Sequence, residues 1–401
     1  MDNTMNFPIR NVFLVIFCQS LALTSMTLAT TVTGVAGNMM VGQAGFVTLP
    51  LAVNAIGTAL AMMPVAQAMQ KYGRRPVMLF GSLTGVISGL LAAQAFHAGS
   101  FLLLCFALFG VGIAMASSAF NRFLIAEITP QASRSRVISW VLASGLIASF
   151  AGPETGKIAL KYFPELGFAS PYLALAGLWL IQLMAICSFK NLPVKKQDEK
   201  NNSARPMRLI ITDWGFFMAL IAGVVASLIM GAMMISTPMA MTHSGLHFDS
   251  AATVLQWHYM AMFLPAFFTG DLIRKYGSRK IIATGGVLCF ISVASAFGAQ
   301  YGNFLVALFL VGVGWNFMNT GSVTLAITRY SPEEKGKAEG FYGTTMSVTS
   351  AIAAISSGYL QQNYGWHAVL IMSFVMIAAL SLAYILIDKK HGSREFDVDA
   401  G

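Results

Sequence analysis

The sequence predicts an all-α membrane protein with twelve transmembrane helices in two pseudo-symmetric six-helix bundles. Three observations support this prediction: the 401 residues are 56% hydrophobic and only 10% charged, long apolar segments recur along the chain, and the two halves repeat. Soluble globular proteins carry about 25% charged residues, so this little charge cannot cover a surface that faces water. Because a segment in lipid must satisfy its own backbone hydrogen bonds, the apolar segments are predicted to be helices.

Twelve apolar segments have the length of a membrane span, which is about 18 residues or more. The first is too long for the core of a cleavable signal peptide. The predicted spans lie near residues 11–35, 45–69, 76–96, 101–127, 135–161, 170–189, 214–238, 250–272, 280–299, 303–328, 337–361 and 366–387.

Lysine and arginine are concentrated in alternate links. The links after spans 2, 4, 6, 8 and 10 are basic, whereas those after spans 1, 3, 9 and 11 carry no Lys or Arg. Lys161 is the one basic residue that is expected in an outside loop. Basic loops stay in the cytoplasm. The pattern predicts a multi-pass plasma membrane protein, in the inner membrane of a bacterium, with both termini cytoplasmic. It also accounts for the net charge of +9, so no nucleic-acid partner is expected.

The longest polar stretch inside the chain covers residues 190–208 at its midpoint and is rich in Asn and Lys. Such a composition is typical of a linker. We therefore predict an N-terminal six-helix bundle at 11–189, a cytoplasmic linker at 190–212 and a C-terminal six-helix bundle at 213–388.

The two halves share matching segments in the same order and at nearly equal offsets. This agreement indicates a duplication, and parallel repeats of six helices form the plan of one large class of transporters. The matches are residues 70–81 with 274–285, 110–112 with 312–314, and 129–130 with 331–332.

The links after spans 2 and 8 resemble the loop motif of the major facilitator superfamily, G-x-x-x-D-R-x-G-R-R. The resemblance covers essentially the whole chain and implies gating at these loops. The first copy departs from the motif, with Ala66 for the glycine and Gln70 for the aspartate. The residues that carry the motif are Gln70, Lys71, Gly73, Arg74 and Arg75 in the first copy, and Gly270, Arg274, Lys275, Gly277 and Arg279 in the second.

Span 5 contains Gly152, Pro153 and Gly156, which resemble the antiporter motif of the same superfamily. The two glycines lie four residues apart on one helix face and allow a close approach by another helix. In that family the motif is associated with proton-coupled export, so the resemblance implies an antiporter. Lys157 stands where the motif usually ends in glycine.

Glu154 and His258 are the candidates for proton coupling. A carboxylate within a span is costly unless it is paired or faces a water-filled cavity. Glu154 therefore either carries a proton or contacts the substrate, or it forms a structural pair with Lys157, three residues on. His258 in span 8 titrates in a range that suits a proton relay. Alternatively, it is a neutral histidine bonded to a backbone carbonyl.

Further polar residues lie in spans that, by the resemblance, line the central cavity. Asn316, Asn319 and Thr320 share one helix face and could bind a polar ligand group or hold neighbouring helices. The full set of cavity candidates is Gln19, Arg122, Trp315, Asn316, Asn319 and Thr320.

The sequence contains no phosphate-binding loop, protease motif or metal-ligand cluster, so we expect neither an enzyme nor a cofactor or metal. We interpret the chain as a secondary transporter that moves a small organic molecule by alternating access, driven by protons and directed outward. The alternative is a proton-coupled symporter that imports a nutrient, vitamin or metal chelate; a membrane sensor or enzyme is a distant third. The expected partners are the lipid bilayer, the substrate and protons, and the protein is expected to be a monomer.

Overall fold

The computed structural model describes residues 9–41, 47–121, 124, 134–189, 205–331 and 334–391. Within these ranges the chain is helical apart from short turns, and no strand occurs. The chain divides into two compact units, Met1–Asp198 and Glu199–Gly401. The boundary falls inside the polar stretch at residues 190–208.

Unit 1 contains six described α-helices. α2 packs on α4, α3 packs on α4 and α6, and α1 packs on α5 and α6. α4 ends at Ser118 within the predicted span 101–127, and Asn121 and Leu124 beyond it are again helical. Residues 122–123 and 125–133 lie outside the described part of the chain. The helices are α1 (Ile9–Val41), α2 (Leu49–Tyr72), α3 (Arg74–His97), α4 (Phe101–Ser118), α5 (Arg134–Tyr162) and α6 (Ala169–Cys187).

Unit 2 contains a short helix followed by seven longer ones in its described residues. α8 packs on α12 and α13, α9 packs on α12, and α11 packs on α12 and α14. The helices are α7 (Met207–Ile211), α8 (Trp214–His243), α9 (Phe248–Phe263), α10 (Ala266–Tyr276), α11 (Ser278–Ser295), α12 (Tyr301–Ile327), α13 (Lys335–Tyr364) and α14 (Trp366–His391).

Eight described helices are long and apolar enough to cross a membrane: α1, α2, α3, α4, α6, α8, α11 with the turn after it, and α12. The remaining predicted spans are also helical in the described residues, as α5, α9 with α10, α13 and α14. In α14 the apolar stretch is shorter, Trp366–Leu382.

The predicted span 250–272 is not one continuous helix, which corrects the sequence interpretation. α9 ends at Phe263, and α10 begins at Ala266. Pro265 has no N–H to donate, and its ring clashes with the preceding turn, so a helix bends or breaks at this position. The break leaves Gly270, Arg274 and Lys275 of the loop motif on α10, separate from α9.

The turns that carry the loop motif have the same backbone conformation in both units. Gly73 joins α2 to α3 with φ 85° and ψ 165°, and Gly277 joins α10 to α11 with φ 83° and ψ 150°. This region of backbone space is essentially restricted to glycine. The duplicated sequence motif therefore encodes a duplicated turn.

The structure aligns α4 with α12 differently from the sequence match of 110–112 with 312–314. The two alignments differ by two residues. A Cβ added to Gly112 would meet the Asn54 carbonyl oxygen, and one added to Gly312 would lie 2.8 Å from the His258 carbonyl oxygen. Asn54 and His258 are themselves equivalent by the offset of the loop motif. Gly112 therefore corresponds to Gly312, because each lets its helix approach the same point on its neighbour.

Candidate functional site

The basic residues of the two loop motifs lie at the ends of helices. Arg75 Nη2 donates to the Cys187 carbonyl oxygen at 2.6 Å and so connects the α2–α3 turn to the end of α6. In unit 2, Arg274 pairs with Asp271 at 3.0 Å, but both side chains are largely exposed. Lys71 and Lys275 each lie 5.2 Å from the ring centroid of the tyrosine that follows. The remaining described motif residues are Gly270, which is exposed, and Arg74 and Arg279, which are half-buried. The side chain of Gln70 lies outside the described part of the structure.

Gly152 is the point at which α5 comes closest to α1. A Cβ there would clash with the Thr27 hydroxyl and lie 2.8 Å from the Leu28 nitrogen. The Thr27 hydroxyl donates to the Ala148 carbonyl at 2.9 Å, one turn earlier in α5. Pro153 and Gly156 are buried on the same helix. The antiporter-like residues therefore form a tight helix–helix contact inside unit 1.

Glu154 forms an ion pair with Lys157. Lys157 Nζ lies 2.9 Å from Glu154 Oε1, and the Glu154 side chain is 44% exposed. The pairing expected from the three-residue spacing is therefore present. Exposure leaves the carboxylate accessible to a proton or a ligand in addition to its lysine.

His258 is completely buried against α12. Its Nδ1 lies 2.7 Å from the Leu308 carbonyl oxygen, and because a carbonyl only accepts, Nδ1 carries the proton. Nε2 has no hydrogen-bond partner among the described residues. The geometry matches the neutral, backbone-bonded alternative of the sequence interpretation.

Asn316 bridges the break between α9 and α10. Its Nδ2 donates to the Met262 carbonyl at 2.7 Å, and the Thr269 hydroxyl donates to its Oδ1 at 2.7 Å. Asn316 is 4% exposed. Both ends of its amide are therefore bonded to the interrupted helix, which is the helix-holding alternative of the sequence analysis.

The other cavity candidates are less engaged. Trp315, Asn319 and Thr320 are half-buried in α12, and Gln19 is half-buried in α1. The Trp315 indole nitrogen and Gln19 Oε1 are buried atoms without a hydrogen-bond partner among the described residues. Arg122 lies outside the described residues.

A clamp between Arg205 and Glu334 was missed by the sequence analysis. Arg205 Nε and Nη2 donate to the two Glu334 carboxylate oxygens at 2.6 and 2.8 Å, and the Ser331 amide donates at 3.0 Å. The Glu334 side chain is only 3% exposed. These donors, with the Arg205 guanidinium first among them, lower the pKa of the Glu334 carboxyl to about 2. The sequence shows no pattern that would predict an ion pair between Arg205 and Glu334, which are far apart along the chain.

The comparisons with known proteins agree with this architecture. The family model of the Major Facilitator Superfamily matches residues 12–263 and 221–399. A riboflavin transporter of Brucella anthropi, RfnT, is 32% identical over 386 residues, which cover 96% of this chain and 97% of that protein. An uncharacterised MFS-type transporter of Bacillus subtilis, YddS, is 24% identical and covers 86% of this chain and 83% of its own length.

Solved transporters have the same fold. The nucleoside transporter NupG superposes with a TM-score of 0.72 at 16% identity, covering 93% of this chain and 99% of its own. The xylose transporter XylE from E. coli has a TM-score of 0.69 at 14% identity, covering 95% and 98%. The twelve-helix fold with two six-helix bundles is thus confirmed. The family model and the riboflavin transporter indicate a transporter rather than an enzyme. This chain belongs to the major facilitator superfamily and is one of its secondary transporters.

Proposed function

We propose that this protein carries riboflavin, or a closely related flavin, across the bacterial inner membrane into the cytoplasm. The observation that supports the proposal is the identity of 32% to a riboflavin transporter over 96% of the chain. YddS, which also matches over most of the chain, is uncharacterised. The direction proposed here is the importer alternative of the sequence analysis rather than its first choice of export.

The residue types in α12 and α1 suit such a substrate. A flavin has a flat aromatic ring system and a hydroxylated side chain, so a site for it needs an aromatic surface and a few polar groups. Trp315 offers an indole that is not fully buried, and Asn319, Thr320 and Gln19 offer amide and hydroxyl groups. We propose the side chains of α12 as contacts for the substrate, within the alternating-access mechanism of the family.

Proton coupling is the proposed energy source, with Glu154 as the group that changes charge. Its carboxylate is 44% exposed and has one basic partner, so a proton can reach it. Protonation would release Lys157 and change the charge on this face of α5. We propose that both termini lie in the cytoplasm, because basic links favour that side of the membrane.

Export of a small organic molecule in exchange for protons is the second candidate. The close contact of Gly152 with Thr27 supports it, because the antiporter motif of the family depends on tight packing of this span. In both candidates protons flow into the cytoplasm, and the two differ in whether the substrate moves with the protons or against them.

Membrane vesicles from cells with and without the protein test both candidates, using the fluorescence of riboflavin itself. Right-side-out vesicles that accumulate riboflavin when the outside is acidic, and lose the accumulation with a protonophore, support import. Accumulation in inverted vesicles with an acidic lumen would instead support export. Equal riboflavin signals with and without the protein, in both orientations, would overturn the flavin assignment.

A further inference from the structure

Unit 1 contains an apolar groove that runs along α2 next to α3. It has a volume of about 520 Å³, and its lining residues come from α2, α3 and α4. Buried Ala61, Val65 and Val77 form its floor, while Leu60 and Phe80, each 64% exposed, form its walls. The groove is therefore open at the protein surface and apolar from floor to rim.

The length of the groove fits one extended hydrocarbon chain. Its lining on α2 extends from Gly57 to Tyr72, a length of about 22 Å at 1.5 Å per residue. This length exceeds half of the ~30 Å hydrocarbon core, as the acyl chain of a lipid that lies along the helix requires.

Positive charge lies at one end of the groove. Tyr72 closes this end, and the α2–α3 turn follows it. On either side of the turn, Lys71 and Arg75 are exposed and Arg74 is half-buried. The described carboxylates of unit 1, Glu154 and Glu165, belong to α5 and the turn after it. A basic cluster at the membrane surface attracts anionic lipid headgroups.

We propose that this groove binds an acyl chain of an anionic phospholipid, whose phosphate lies against the basic α2–α3 turn. The apolar groove takes the chain, and Lys71 and Arg74 take the headgroup. The site belongs to unit 1 alone and does not depend on the identity of the transported substrate. A bound lipid would also connect the loop motif to the lipid composition of the membrane.

Native mass spectrometry of the purified full chain tests the site, with palmitoyl-oleoyl phosphatidylglycerol and phosphatidylcholine as competing probes. We expect the wild type to retain phosphatidylglycerol in preference to phosphatidylcholine. Ala68→Phe, which fills the groove, should lose the retained lipid. Gln67→Phe is the matched control, because Gln67 is exposed on the same helix and is not part of the lining.

The headgroup contact has its own matched pair of variants. Lys71→Gln with Arg74→Gln should abolish the preference for phosphatidylglycerol, whereas Arg274→Gln with Lys275→Gln, in the equivalent turn of unit 2, should retain it. The proposal is overturned if the wild type shows no preference, if Ala68→Phe retains as much lipid as Gln67→Phe, or if both double variants behave alike. A dimer that Ala68→Phe dissociates, with lipid retention unchanged, would assign the groove to a second copy of the chain and also overturn it.

Discussion

His258 in α9 and Asn54 in α2 occupy equivalent positions in the two units and make the same contact. His258 Nδ1 donates to the Leu308 carbonyl at 2.7 Å, and Asn54 Nδ2 donates to the Leu108 carbonyl at 3.1 Å. In each unit the acceptor lies on the helix whose glycine touches the donor's own backbone. The duplication therefore accounts for this contact of His258 as a packing contact, which an amide makes in unit 1.

We predict that His258→Asn keeps the thermal stability of the purified protein, since an amide makes this contact in unit 1. His258→Leu should destabilise by about 1 kcal/mol, because the Leu308 carbonyl loses a donor. Asn54→Leu is the matched control and should behave like His258→Leu. If His258→Asn unfolds normally but loses proton-driven accumulation, the histidine carries protons after all.

Asn316 should contribute more to stability than the neighbouring polar residues of α12. Asn316→Leu leaves the Met262 carbonyl at the helix break without its side-chain donor, at a cost of about 2 kcal/mol. Asn319→Leu changes a half-buried residue and should cost less. Thermal unfolding in detergent measures both. The double change Asn316→Leu with Thr269→Val should cost less stability than the sum of the single changes, because each single change already removes the same hydrogen bond between the two side chains. Additive costs would show that the two side chains act independently.

The sequence predicted the class of fold correctly because low charge and span length act over the whole chain. It also located the Gly73 and Gly277 turns, since a repeated glycine between basic residues has few structural explanations. The break in span 8 was missed although Pro265 was visible, because a proline can also be accommodated inside a continuous helix. Pro153 illustrates this: α5 is helical on both sides of it.

The side-chain partners were less predictable than the elements. The pairing of Glu154 with Lys157 follows from local spacing, and it was foreseen as an alternative. The partners of Asn316 and His258 depend on which helices pack together and in which register. A polar face at helical spacing is compatible with a ligand or with a neighbouring helix, so the sequence could not choose for Asn316.

Gly73 and Gly277 should be intolerant of side chains. Any L-residue at φ near 85° and ψ near 160° is strained, at a cost of about 1–3 kcal/mol. We expect Gly73→Val and Gly277→Val to reduce transport while the protein still inserts into the membrane. Initial rates of transport, normalised to the amount of protein in the membrane, test this. Gly286→Ala is the control, because Gly286 lies within helix α11 outside the motif and its Cβ would meet no heavy atom within 4 Å. Full activity of both valine variants would refute a gating role for the turns.

Glu334 should stabilise unit 2 in a pH-dependent manner. Its pKa in the folded protein is lowered from 4.5 to about 2, so its contribution is fully present above pH 4.5 and is lost as the pH falls through about 2. Glu334→Gln should therefore lower the melting temperature at neutral pH, and the difference from the wild type should shrink below pH 4.5. Asp271→Asn is the control: its ion pair with Arg274 is exposed and contributes little. A difference that stays constant down to the lowest measurable pH would contradict the clamp as its origin.

The last prediction separates the two interpretations of Glu154. If its carboxylate carries the coupled proton, Glu154→Gln should abolish accumulation driven by a pH gradient but leave substrate binding and downhill exchange intact. Glu154→Asp should keep part of the activity, because the titrating group remains. If Glu154 only balances Lys157, the single change removes the ion pair but keeps the charge of the lysine, whereas the double change Glu154→Gln with Lys157→Met removes both charges. Vesicle accumulation assays on the single and double variants decide the matter. Accumulation restored by the double change would assign Glu154 to a structural pair, since a transporter without the carboxylate would still be driven by protons.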